Sequence, residues 1–203
     1  MIYYGDDNTR KVIKILMVFL LSVPLLISPA AAWDLPTHQN IASKVYYSLP
    51  SSVQHNLNLA KMKEGSIAPD AVFKDLSKHQ YPATIAQAQN WLNKGKTAYQ
   101  NKNYSYASYC FGVASHYIAD SFSAPHCITG ESLSLHYAYE KQAVDMTPSI
   151  RYMSGTVNSI LYNGYLQNQI DWPFWLVTKS PSIPQRDLNN AGSAAYSLIK
   201  NSI

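Results

Sequence analysis

Between Tyr104 and His126 the chain places ionisable side chains on a segment that otherwise reads as protein interior. Residues 104–121 carry Tyr106, Tyr109, Cys110, Val113, Tyr117 and Ile118 at helical spacing. His116 and Asp120, four apart on the same segment, project from one face about one turn apart. A helical His and acid at that spacing is most often a surface ion pair. Here the run from Ser115 to His126 is mainly apolar and small, so burying the helix buries the pair, and buried ionisable groups are costly unless they bind something. Any fold for this chain must therefore wrap its other elements around a helix that carries a polar site inward.

The elements that do the wrapping are also predicted to be helices. After residue 32 no stretch of useful length alternates apolar and polar residues with period two, whereas several show helical spacing and punctuation. Thr37 is placed as the cap of a helix running to about Ser48. Ser51 or Ser52 is placed as the cap of another that stops before Gly65. Residues 83–101 put Ile85, Ala88, Trp91, Leu92 and Ala98 on one stripe. Further helices are expected at about 134–146, at 149–168 opened by Pro148, and at 187–201, with Pro173, Pro181 and Pro184 marking the loop between the last two. The reading is all-α: a single compact multi-helix domain with a polymetal cleft, over residues 33–203.

Residues 1–32 are set apart as a signal peptide. Arg10, Lys11 and Lys14 precede the apolar run Ile15 to Ile27, and Ser28, Pro29 and Ala30-Ala31-Ala32 follow. The run falls short of the ~20 residues that cross a bilayer, and Pro24 interrupts it, so a permanent anchor is the weaker reading. Cleavage after Ala32 would make Trp33 the first residue. The expected localisation is secreted or extracytoplasmic, at the cell surface if the segment is kept.

Composition narrows the partners. A net charge of +4 without a basic block is too little to argue for nucleic acid on electrostatics. The 16 tyrosines read as packing at helical spacing. Two cysteines, Cys110 and Cys127, are too few for an all-cysteine metal site, and a disulfide between them is disfavoured because a straight helix followed by a turn separates them. A metal would need His and carboxylate ligands. Five of the six histidines, His38, His79, His116, His126 and His136, stand near a carboxylate or another ligand type, and only His55 stands alone. His136 and Glu140 repeat the four-residue spacing. Pro125 ends the central helix and turns His126 back toward it. Upstream, Gly65-Ser66-Ile67-Ala68-Pro69-Asp70 ends in a carboxylate on a turn, and His79 follows.

These motifs resemble the bacterial zinc-dependent phospholipases C, to which the single-strand-specific zinc nucleases of fungi and plants are related. The resemblance is carried by Thr37-His38-Gln39-Asn40-Ile41, by the turn that ends in Asp70, by His79, and by the pair His136 and Glu140. Its strongest part is the run from Phe111 to His126 with His116, Asp120 and Pro125-His126. In that family a mature N-terminal Trp binds zinc through its amino group and carbonyl oxygen, and Trp33 stands where cleavage would expose it. The resemblance implies two to three zinc ions. Asp70, His79, His116 and Asp120 would hold the first, His126, His136 and Glu140 the second, and Trp33, His38 and a bridging Asp120 the third. Asp70 is the candidate to orient or deprotonate the attacking water, with its role as base or ligand left open.

The implied activity is phosphodiester hydrolysis of the phospholipase C type, giving diacylglycerol and a phosphorylated headgroup. The alternatives are a zinc nuclease or phosphomonoesterase on the same scaffold, the one reading that would take nucleic acid, and a non-catalytic zinc-stabilised surface domain. The short spacing from Trp33 to His38 is nearer the nucleases, and Glu140 nearer the phospholipases. Transient contact with a membrane surface is compatible with the first reading, and no obligate protein partner is evident.

Overall fold

The computed structural model describes residues 33–128 and 132–203; the predicted signal segment lies outside them. Among the described residues all regular structure is helical. The order is α1 (Leu35–Ser48), the single turn α2 (Ser51–Gln54), α3 (Leu59–Ala68), a π-helical turn (Pro69–Phe73), a 3-10 turn (Leu76–Lys78), α4 (Ala83–Gln100), α5 (Tyr104–Asp120), a second 3-10 turn (Ala124–Cys127), α6 (Leu133–Ala143), α7 (Val157–Thr178) and α8 (Ser182–Lys200).

Helix α5 is the axis of the domain. Every residue from Cys110 to Asp120 is buried, with α3 and α4 packed along it and α1 and α8 against further sides. It can be surrounded because Ala107, Ser108, Gly112, Ala114, Ser115 and Ala119 are small enough to let neighbours close in all round. Phe111 fills the space left by Gly95, where a Cβ would lie 2.5 Å from its ring; full burial of such a side chain contributes about 2–3 kcal/mol.

Four expectations are corrected. First, Asp34, not Thr37, caps α1: its Oδ1 accepts from the Thr37 backbone N–H at 2.9 Å and from the Thr37 hydroxyl at 2.5 Å. Second, the segment from Ser51 breaks after one turn, and α3 begins afresh behind Asn58, whose side chain accepts from the Lys61 N–H. Gly65 lies inside α3 rather than ending it, because it is the point of closest approach to α5.

Third, residues 149–156 are not helical. Their backbone N–H groups at Ser149, Arg151 and Met153 donate to the side chains of Asn189, Ser193 and Ser197 on α8. Two residues of stretched chain advance ~6.6 Å and four of helix ~6 Å, so every second N–H meets every fourth side chain. That ladder outcompetes a helix, and α7 starts only at a capping box made by Thr156 and Ser159. Fourth, Pro173 lies within α7 and Pro184 within the first turn of α8. Gln169, whose carbonyl Pro173 leaves without a helical N–H, is exposed, so water can take that bond. Cys110 sits in mid-α5, while the Cys127 thiol donates to the Asn168 carbonyl at 3.3 Å.

Candidate metal centre

Helices α1, α5 and α6 and the turns between the helices deliver the side chains of eight of the nine sequence-predicted ligand residues into three groups; the ninth, Trp33, is expected to ligate through its backbone. Asp70, His79 and His116 form one, His38, His116 and Asp120 a second, and His126, His136 and Glu140 a third; within each the ligand atoms lie within 4.8 Å of one another. His116 belongs to two groups. The His38 and His116 rings stack at 3.8 Å.

Asp120 is central. Its Oδ2 lies 2.9 Å from His79 Nδ1 and 3.3 Å from His116 Nε2, and its Oδ1 lies 3.4 Å from His38 Nε2. Asp70 Oδ1 is 3.6 Å from His79 Nε2 and 3.8 Å from His116 Nε2. In the third group Glu140 Oε1 stands 2.8 Å from His136 Nε2 and 3.7 Å from His126 Nε2. Tetrahedral zinc with N and O ligands at 2.0–2.2 Å sets those ligand atoms about 3.3 Å apart, the range of most of these separations.

The backbone fixes which ring nitrogens face inward. His116 Nδ1–H donates to the Ser66 carbonyl at 2.8 Å, and His126 Nδ1–H to the His79 carbonyl at 3.1 Å. Each Nε2 is thereby left with its lone pair directed into the cluster, the arrangement that orients metal-binding histidines.

Electrostatics agree with the geometry. Burial lowers His38 to about 4 and His116 well below its ordinary value, so both are neutral ligands at neutral pH. Burial and the Asp120 charge push the Asp70 carboxyl up to about 7. Burial opposes charge on Asp120 too, yet His116, the His79 hydrogen bond and His38 hold it well below the carboxylate range. Burial likewise opposes a charged His79, but the hydrogen bond to Asp120 and the charges of Asp120, Asp70 and Asp75 raise it to about 9.

Six buried atoms of this cluster have no hydrogen-bond partner: both ring nitrogens of His38, both oxygens of Asp70, Asp120 Oδ1 and His126 Nε2. Each such atom costs on the order of 1–3 kcal/mol, and gathering them in one place is paradoxical unless a cation satisfies them. The residues fit zinc, with nitrogen and carboxylate donors at tetrahedral spacing.

Trp33 stands differently. Its side chain is buried beside the cluster, with the indole N–H donating to the Ala119 carbonyl at 3.2 Å and the ring 5.7 Å from that of Tyr139. It touches the residues that precede Asp120 and Glu140, and the ligand atoms expected of it are those of its backbone. One residue was missed. Asp75 Oδ1 lies 3.2 Å from His79 Nε2, and its Oδ2 accepts from the Tyr117 hydroxyl at 2.7 Å. Asp75 and His79 are four apart, the same interval as His116 with Asp120, but on irregular turns where that interval fixes no shared face. A cavity of about 300 Å³ opens at Asp75, lined by Phe73, Lys78, Trp91 and Tyr117.

The family profile described as zinc dependent phospholipase C matches residues 37–176. The chain belongs to the zinc dependent phospholipase C family. Comparison with curated proteins returned no match. The phospholipase C match takes in every candidate ligand from His38 to Glu140 and leaves Trp33 outside. It also stops before α8, whose Asp187 accepts from the Tyr139 hydroxyl behind the Trp33 ring. Membership makes the domain a zinc phospholipase-type hydrolase, in agreement with the all-α reading and with the three His and carboxylate groups.

Proposed function

We propose that the protein hydrolyses a phosphodiester, most specifically a phospholipid at the glycerol side of its phosphate, releasing diacylglycerol and a phosphorylated headgroup. The observation that carries this reading is the Asp120 carboxylate, which turns Oδ2 to His79 and His116 and Oδ1 to His38 and so can join two of the candidate metal groups. Three adjoining divalent sites suit one phosphoryl group in line with its attacking and leaving oxygens. Zinc held there by His38, Asp70, His79, His116, Asp120, His126, His136 and Glu140 would polarise the phosphoryl oxygens and bring the pKa of a water toward neutrality.

The chain's own residues do the rest. Asp120, charged and desolvated, balances the cations and keeps His38, His79 and His116 in register. Asp70, whose two buried oxygens have no hydrogen-bond partner, can spend one oxygen on a cation and keep the other for the proton of the attacking water, the placement of a general base. Water oxygen joins phosphorus, the bond to the glycerol oxygen breaks, the leaving oxygen takes a proton from solvent to become the diacylglycerol hydroxyl, and the proton lost by the attacking water ends on Asp70 before it passes to solvent.

Export completes the reading. Removal of residues 1–32 would free the amino group of Trp33, whose indole packs against Ala119 and Tyr139, the neighbours of Asp120 and Glu140, and secreted protein should then begin at Trp33 by N-terminal sequencing.

The test is Asp70→Asn, assayed on a soluble chromogenic phosphodiester beside zinc stoichiometry. A base role lowers turnover by ~100-fold or more with zinc retained; a ligand role lowers both together. Unchanged turnover and unchanged zinc would exclude both roles, and wild-type protein that holds zinc yet turns over no diester would leave the non-catalytic domain. Phospholipid against single-stranded nucleic acid as substrate then separates phospholipase from nuclease.

A further inference from the structure

The long helix α7 shows solvent a face that a soluble domain has little reason to keep. Tyr162, Leu166, Ile170, Phe174 and Val177 are all exposed large hydrophobics, Ile170, Phe174 and Val177 by 64%, 59% and 86%. At 100° per residue the five fall within an arc of ~120° and run ~22 Å along the axis. Between Val157 and Thr178 there is no Lys, Arg or Glu, and the single acid, Asp171, is buried. The outward face therefore carries no charge.

Two features decide what covers it. The first is continuity with the metal cleft. Tyr81, two residues after His79, stacks on Tyr165 at 4.5 Å and leans on Tyr162 at 5.8 Å. Gln169 donates to the carbonyl of Cys127, the neighbour of His126, and Gln80 to that of the exposed Ile128. The second is charge. Asp120, Glu140, Asp171 and Asp187 are all buried, and among the described acids only Glu64 and Asp145 are exposed, so exposed lysines outnumber exposed acids. At the end of the stripe Lys179 follows Thr178, and its carbonyl accepts from Gln142, next to the exposed Lys141. A second copy of the chain is the poorer occupant. A strip ~22 Å by ~10 Å offers a few hundred Å² at most, short of the ~800 Å² per partner of a stable interface.

We propose that the exposed face of α7 is an interfacial docking surface for anionic lipid, laying the helix in the plane of the membrane with the metal cleft at the lipid boundary and the surface excess of lysine drawing it there. The inference deepens the phospholipid reading of the site and rests on it.

The test is flotation at 4 °C of zinc-loaded protein with vesicles of phosphatidylcholine and phosphatidylglycerol, against phosphatidylcholine alone. Wild type should float with the anionic vesicles. The pair Ile170→Ser with Phe174→Ser should lower partitioning by at least ~10-fold, with the melting temperature and the turnover of the soluble diester unchanged. A second pair, Leu166→Asn with Val177→Ser, should act the same way should the first fold poorly. Wild type that stays in solution, variants that float like wild type, or a wild-type dimer that the Ile170 and Phe174 changes dissolve would each overturn the proposal. Flotation that is lost in the variants while wild type turns over no diester would support the surface and sink the catalytic reading alone.

Discussion

Gly65 on α3 and Gly112 on α5 face one another backbone to backbone. A Cβ on Gly65 would lie 2.1 Å from the Tyr109 carbonyl oxygen, and one on Gly112 would lie 2.1 Å from that of Met62. Neither obstacle is a side chain that can rotate away. The contact sets the α3 to α5 distance at which Ser66 reaches His116 and Asp70 approaches the same ring.

Gly112→Ala and Gly65→Ala should therefore destabilise the fold although alanine favours helix by up to ~1 kcal/mol. Overpacking against rigid backbone costs about 1–3 kcal/mol or more, and a net loss of ~2 kcal/mol lowers the melting temperature of a domain this size by about 4–8 °C. Zinc affinity should fall with it, since the Ser66 to His116 bond spans the shifted pair. A thermal melt beside a zinc titration checks both, and a variant melting higher than wild type would contradict the argument.

The same glycine shows where sequence reasoning stopped. Gly65 after a stretch with a helix cap at Ser51 or Ser52 reads as a helix stop, and only the arrival of Gly112 from 47 residues away makes it a packing point. Residues 149–156 were misread for the same reason, because the Asn189, Ser193 and Ser197 ladder that holds them lies on a later helix. The site was more legible than the fold boundaries. His116 with Asp120 and His136 with Glu140 sit on regular helices, where a spacing of four fixes a shared face. Asp75 lies between two irregular turns, where no period announces which way a side chain points, and Tyr117, its partner, looked like any core tyrosine.

Asp120→Ala should be worse than His38→Ala. His38 belongs to one candidate metal group, whereas Asp120 stands against His38, His79 and His116 together. Removing the carboxylate leaves adjacent cations without the charge that offsets them, so we expect loss of more than one zinc per chain and turnover at background. Metal analysis by mass spectrometry beside the diester assay decides it; Asp120→Ala with full zinc would sink the bridging role.

Zinc uptake should be proton-linked with a sign set by two groups. In metal-free protein His79 is raised to about 9 and Asp70 to about 7, so below pH 7 both hold a proton that a cation must displace, between 7 and 9 only His79 does, and above 9 neither. Apparent affinity should climb by up to ~100-fold per pH unit below 7 and ~10-fold per unit from 7 to 9, then level off. His38 and His116, lowered by burial, add nothing in that range. Titration calorimetry in buffers of different ionisation enthalpy counts the protons, and Asp70→Asn should remove the one released below pH 7. Release that is independent of pH from 6 to 9 would refute the assignment.

Asp75 divides cleanly between a supporting role and a liganding one. Its carboxylate takes His79 Nε2 on one oxygen and the Tyr117 hydroxyl on the other, the placement of a partner that orients a metal-binding histidine and raises its basicity. Asp75→Asn keeps the size and the link to Tyr117 but loses the charge. A supporting role should weaken zinc binding by ~10–100-fold while turnover at saturating zinc stays within a few fold of wild type. Tyr117→Phe should then cost only the ~0.5–1.5 kcal/mol of one hydrogen bond and shift zinc affinity less. If Asp75 is itself a ligand, the Asn variant should instead lose one zinc at any concentration tested and its turnover with it. The stoichiometry at saturation separates the two, and an Asp75→Asn protein with wild-type zinc affinity would show that His79 is held by Asp120 and Asp70 alone.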